Sequence, residues 1–270
     1  MASQLESTIA SRNFFDPFAL VRSPTLGQVR YAVLRDLYQS QAEALIEGGV
    51  DLILIETVYD ILQAKAAING TKRAMVVAGK RLPIQIQVTI ESTGRMLAGT
   101  EISAALNSLE AIRPDVIGMN CATGPEEMGE HLRYLSQHST IPISVQPNAG
   151  LPSIVNGKMH YDLTPQQLAS HHSYFVQKLG VSIIGGCCGT TFDHLAEVVQ
   201  TCRNIQPATR HPIVEPGVSS LYSHTAFHQD TSFLSVGERT NANGSKKFRE
   251  AMVDSNLQRS ISLQLEAQGK

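Results

Sequence analysis

The sequence predicts an α/β fold built from repeated βα units, and three observations carry that prediction. Short apolar runs alternate with longer helical patterns. The runs are rich in β-branched residues and nearly continuous in hydrophobicity, as parallel strands covered on both faces are. Their starts recur roughly every 30 residues, the length of one βα unit. That spacing suits either a (β/α)8 barrel or a doubly wound sheet.

The strands are expected at residues 51–56 (DLILIE), 83–89 (PIQIQVT), 115–119 (DVIGM), 142–145 (PISV) and 181–184 (VSII). Helical patterns fill the gaps at 102–112, 126–136 and 165–179, and an amphipathic helix over 28–48 precedes the first strand. Thr164-Pro165-Gln166-Gln167 supplies an N-cap, a proline at the first helical position and a capping-box glutamine. Gly124-Pro125-Glu126-Glu127 places two acids in a first turn, where the helix dipole favours negative charge.

Five βα units are visible, whereas eight close a barrel. As a barrel, the chain would therefore be N-terminally incomplete by about three βα units. Residues 1–25 are too few to hold them. The chain is then expected to be a fragment whose open sheet edges pair readily with other chains. Periodicity breaks after Ile205. Residues 206–231, with Pro207, Pro212, Pro216, Gly217 and a Ser/His cluster, read as a linker. A new strand is expected at 233–238 (FLSVGE), then a loop through Asn241–Gly244 and a helix from about Lys246 to the end: the first βα unit of a second domain spanning 232–270.

The 270 residues are 42% hydrophobic with a net charge of −2, enough for a sizeable core and no electrostatic reason to expect nucleic acid or an anionic membrane as partner. No apolar run reaches the roughly 18–20 residues that cross a bilayer. The start MASQLESTIASRNFFDPF lacks the basic and apolar stretches of a secretion signal. A cytoplasmic location is expected, and there four cysteines point to metal ligation, catalysis or packing rather than disulfides.

Cys202 lies in a helical pattern and reads as packing. The other three follow strands. Cys121 follows DVIGM, and Cys187 and Cys188 follow VSII through Gly185-Gly186. In a parallel barrel the C-terminal strand ends share one face, so three thiolates from two loops can meet around one ion. Zinc is tetrahedral, and three protein ligands leave the fourth position open for a substrate thiol, which binds as the nucleophilic thiolate. On spacing alone a vicinal disulfide or simple packing stays open, since no CxxC pair is present.

Three segments carry a resemblance. GMNCATGPEEM (118–128), QPNAGLP (146–152) and GGCCGTT (185–191) resemble the homocysteine-binding module of the cobalamin-dependent methionine synthases, a (β/α)8 TIM-type barrel of the homocysteine S-methyltransferase family. The likeness spans about residues 26–205, and residues 1–25 match nothing. It implies zinc on Cys121, Cys187 and Cys188, with homocysteine as the thiol. VGERTN (236–241), with Gly244-Ser245 and Lys246-Lys247-Phe248, is similar to the opening of a pterin-binding domain. That implies methyltetrahydrofolate as methyl donor, and cobalamin on a module that has no counterpart here. Relatives using another methyl donor, a non-catalytic zinc-binding product and a thiol-redox protein are the rival readings.

Glu56 ends the first strand on the face where the cysteines converge, and the resemblance implies that it receives the homocysteine ammonium. Asn148 lines the same pocket or serves a turn. Glu238 and Asn241 are the expected folate contacts. Asp60 and Lys65, on the helix after Glu56, read as a solvated face. His171 and His172 read as helix residues rather than ligands, and His211, His224 and His228 as part of the connector.

Overall fold

The structure, a computed structural model, describes residues 24–25, 27–155, 157–230, 233–234 and 241–267. It divides into two compact units, 1–226 and 227–270. In the first, the elements run α1 (Tyr31–Glu47), β1 (Ile53–Val58), α2 (Ile61–Ala78), β2 (Ile84–Val88), α3 (Ile102–Glu110), β3 (Val116–Asn120), α4 (Pro125–His138), β4 (Ile143–Gln146), β5 (Pro152–Val155), β6 (Lys158–Tyr161), α5 (Pro165–Leu179), β7 (Ile183–Ile184), α6 (Phe192–Cys202), β8 (Gly217–Ser219) and β9 (His224–Ala226).

Strands β1, β2, β3, β4 and β7 form one sheet in that order, every pair parallel. Each corresponds to one of the five expected strands. Alternation along the strands separates two faces. Ile53, Ile55, Ile84, Ile86, Val88, Ile117, Met119, Ile143 and Val145 belong to the main apolar core with the helices. Glu56, Gln85, Gln87, Thr89, Asn120, Ser144 and Gln146 have the opposite parity, and they too are buried. Gln87 Nε2 donates to Ser144 Oγ at 3.0 Å across this polar face. Gly118 lies between them because a side chain does not fit: a Cβ there would come within 2.1 Å of Ser144 Oγ and 2.2 Å of its carbonyl oxygen.

The helices follow their signals. Helix α1 buries Leu34, Tyr38, Ala42 and Ile46, one residue per turn along a single stripe. Helix α5 starts on the expected Thr164–Gln167 capping box, and α4 carries Pro125, Glu126 and Glu127 in its first turn. Asp60 corrects its sequence reading. It is buried, not solvated: its Oδ1 caps α2 by accepting from the N–H groups of Leu62 (2.7 Å) and Gln63 (3.1 Å), and its carboxylate also accepts from Thr25. Lys65 is half-buried.

Two hairpins were not anticipated. β5 pairs antiparallel with β6, and β8 with β9. Residues 206–226, read as linker, belong to the first unit. The Ile213 N–H donates to Gln137 O, the Glu101 N–H to Tyr222 O, and the Arg210 guanidinium to the carbonyls of Ser139 and Ile141. Proline-rich backbone held by such bonds has no need of a periodic pattern, which is why it resembled a connector.

The second unit contains α7 (Lys246–Val253) and α8 (Leu257–Ala267). The expected single helix is broken at Ser255, whose φ is 53°. Ser245 caps α7, accepting from the Phe248 N–H at 3.3 Å. Most of the expected strand at 233–238, including Glu238, lies outside the described residues. Among the described residues no helix is long and apolar enough to cross a membrane.

Candidate functional site

The C-terminal ends of the parallel strands bring three loops together. Cys121 follows β3 directly, residues 147–149 follow β4, and Cys187 and Cys188 follow β7. The middle loop holds no cysteine yet ties the other two in place. The Cys121 N–H donates to Gln146 O and the Asn148 N–H to Thr123 O on one side. On the other, the Cys187 N–H donates to Pro147 O and the Ala149 N–H to Cys188 O. Asn148 adds a side-chain bond, its Oδ1 accepting from the Cys188 N–H at 3.1 Å.

Held this way, the sulfurs converge. Cys121 Sγ lies 3.6 Å from Cys188 Sγ, and Cys187 Sγ lies 4.0 Å from Cys188 Sγ. All three atoms fall within 4.8 Å of one another, and no other comparable group of three or more His, Cys, Asp or Glu ligand atoms occurs among the described residues. A tetrahedral zinc with Zn–S bonds near 2.3 Å requires sulfurs about 3.8 Å apart. The donor set therefore fits zinc in chemistry and in spacing. None of the three is in a disulfide.

The thiols differ electrostatically. The neighbouring Cys187 thiol pulls the Cys121 pKa down to about 6, helped by the Ala122 N–H and the Asn148 side chain. Cys187 is pushed up by its coupling to Cys121 and by burial, and burial with the neighbouring negative sulfur pushes Cys188 up. The three thiols thus titrate as one coupled group whose most acidic member is Cys121. Tyr59 is raised by burial and by the Cys121 charge, and Tyr161 by burial and the Cys188 charge, so both phenols stay un-ionised.

Glu56 is buried at the end of the polar face, its Oε2 accepting from Asn120 Nδ2 at 3.3 Å. Asn241, in the second unit, is exposed and its Oδ1 accepts from the Asn243 N–H at 2.8 Å. The expected ligand Glu238 is not among the described residues. Cys202 stays apart on α6, its thiol 4.0 Å from Ala169 O.

The amino-acid sequence now has context. The homocysteine S-methyltransferase family profile matches residues 10–202. The chain belongs to the homocysteine S-methyltransferase family. It is 51% identical to a methionine synthase of Mycobacterium tuberculosis over 240 residues, and 49% identical to one of Mycobacterium leprae over 245 residues. Each match covers 89% of this chain and 20% of the relative, so the chain spans about a fifth of their length. The fold is similar to that of the E. coli homocysteine methyltransferase MmuM in its apo form, at TM-score 0.51 and 22% identity over 64% of this chain and 57% of that one.

Several site residues were not singled out from the sequence. His172, read as an ordinary helix residue, is fully buried on α5, and its Nε2 donates to Gly185 O at 2.7 Å, holding the start of the Gly185–Cys188 turn. Burial lowers its pKa to about 4. Tyr161, from β6, packs against Gly189, where a Cβ would come within 2.3 Å of the ring and φ is +79°, so glycine is doubly required. Asn120 bonds to Thr57, Glu56 and Cys187. A helical histidine gives no sequence signal. The alternation IQIQV in β2 was a usable one, because it places Gln85 and Gln87 on a buried face that must be polar.

Proposed function

We propose that the chain binds homocysteine through a zinc ion held by Cys121, Cys187 and Cys188 and presents its sulfur for methylation to methionine. The observation that carries this is the convergence of three sulfurs, Cys188 lying 3.6 Å from Cys121 and 4.0 Å from Cys187, at the strand ends of a chain in the homocysteine S-methyltransferase family. When bound, zinc supplies Lewis-acid activation, lowering the pKa of a thiol in its open fourth place.

The chain's own residues do the rest. The loop after β4, with Asn148 on Cys188, fixes the spacing of the two cysteine loops. His172 anchors Gly185 from behind. Glu56, at the head of the polar face, receives the substrate ammonium. The Tyr59 and Tyr161 phenols stay protonated and add no competing charge.

In this reading the five parallel strands are part of a (β/α)8 barrel, and residues 232–270 open a pterin-binding domain with Glu238 and Asn241 as folate contacts. The methyl group comes from methyltetrahydrofolate by way of cobalamin on a further module, and the likeness to mycobacterial methionine synthases supports homocysteine as its acceptor. Homocysteine and those modules are the partners, and the cytoplasm, where thiols stay reduced, is the setting.

The test is zinc content together with sulfur coordination at the metal by X-ray absorption. One zinc per chain with three sulfurs, rising to four on adding homocysteine, is the expected result. A metal whose sulfur count is unmoved by homocysteine overturns the reading.

A further inference from the structure

Three residues at the site have left-handed backbones: Thr57 (φ 56°), Cys121 (63°) and Ala122 (61°). For β-branched Thr57 this conformation is strained and persists only where neighbours hold it. The neighbour is Asn120, whose Oδ1 accepts the Thr57 N–H at 2.8 Å. That N–H can only donate, so the orientation of the amide is determined. The amide nitrogen then faces Thr57 Oγ1 at 2.8 Å, Glu56 Oε2 at 3.3 Å and Cys187 Sγ at 3.8 Å. Asn120 is itself fully buried and immediately precedes Cys121. One side chain therefore spans the carboxylate and the sulfur cluster.

We propose that Asn120 is a positioning residue that sets the separation between Glu56 and the three sulfurs, so that the site measures the length of an aminothiol. The inference rests on the reading above, in which Glu56 takes the ammonium and the sulfur cluster takes the thiol. Homocysteine and cysteine carry the same two groups and differ by one methylene. A carboxylate whose backbone could shift would follow the shorter ligand inward and accept both. With Thr57 clamped at its N–H and its hydroxyl, the adjacent Glu56 cannot follow. The bond to Cys187 registers that clamp against a sulfur, as hydrogen bonds behind metal ligands do.

The test measures binding of homocysteine, cysteine and 2-mercaptoethanol to the zinc-loaded chain by calorimetry, with zinc stoichiometry recorded alongside. The unaltered chain should prefer homocysteine to cysteine. In Asn120→Ala the preference, read per zinc bound, should fall at least tenfold and by more than any loss of 2-mercaptoethanol affinity. Thr57→Gly, whose glycine adopts φ 56° without strain and lacks the Oγ1 anchor, should lower the preference in the same way with the cysteines untouched. It carries the test should Asn120→Ala fail to fold. A preference unchanged in Thr57→Gly or in folded Asn120→Ala overturns the proposal alone. Absence of thiol binding to the unaltered chain overturns the underlying reading and the proposal with it.

Discussion

The sulfurs of Cys121 and Cys188 lie 3.6 Å apart although 67 residues separate them in the chain. Neither residue is on a regular element. Each follows a strand of the same parallel sheet, and β4 with the loop after it, between the two in space, hydrogen bonds to both. Pre-organisation of this kind makes the site's behaviour specific enough to predict.

Removal of any one of Cys121, Cys187 or Cys188 by alanine leaves two sulfurs, too few to hold zinc tightly. Each variant is expected to lose most of its metal on gel filtration in the presence of a chelator. Cys202→Ala, 4.0 Å from a carbonyl of α5 and remote from the cluster, should keep one zinc per chain. Metal analysis of the four variants checks this, and a zinc-replete Cys187→Ala would contradict the ligand assignment.

Proton release on zinc binding should change with pH. Ligating cysteines must be deprotonated. Above pH 6 Cys121 is already a thiolate, whereas Cys187 and Cys188 still carry protons because theirs are shifted upward. Binding at pH 7.5 should release about two protons per ion, and at pH 5 about three. Apparent affinity should accordingly fall more steeply with acidification below pH 6 than above it. Calorimetry in buffers of different ionisation enthalpy reads the number directly.

His172 predicts an acid-sensitive contribution to stability. Burial depresses its folded pKa from 6.5 to about 4, and its Nδ1 has no partner among the described residues to accept a second proton's bond. The sign follows from linkage: a depressed group contributes stability that is fully present above pH 6.5 and lost as the pH falls toward 4. The loss across that window should approach about 3 kcal/mol. His172→Gln should be less stable at pH 7.5, and it should lack this part of the pH dependence in urea denaturation. A slope between pH 6.5 and 4 identical to that of the unaltered chain would count against it.

Gly118→Ala tests the polar face of the sheet. The added methyl meets both the hydroxyl and the main-chain oxygen of Ser144, and only the hydroxyl can rotate away. The β3–β4 pairing must shift, with an expected loss of about 2–3 kcal/mol, in the range of overpacked cores. Ser144→Ala, which removes only the bond from Gln87, should cost about 1 kcal/mol. Urea midpoints of the two variants give the comparison.

The five parallel strands, the helices between them and the cysteine loops were legible in the residues, because hydrophobic period and capping are local properties. β-branched runs such as DLILIE, and the Thr164–Gln167 capping box, need only near neighbours to be read. The Pro152–Tyr161 hairpin had a usable signal as well, in the Asn156-Gly157 dipeptide between two short extended runs. What tertiary structure alone decided is which groups meet across the sheet. Asp60 looks like any first-turn acid until Thr25 is placed on it, and His172 like any helical histidine until Gly185 O is 2.7 Å away. The left-handed backbone of Thr57 within β1 has no sequence mark, since it is held by Asn120, 63 residues onward. Such long-range contacts depend on how separate strands pack in register, and no window of neighbouring residues contains that information.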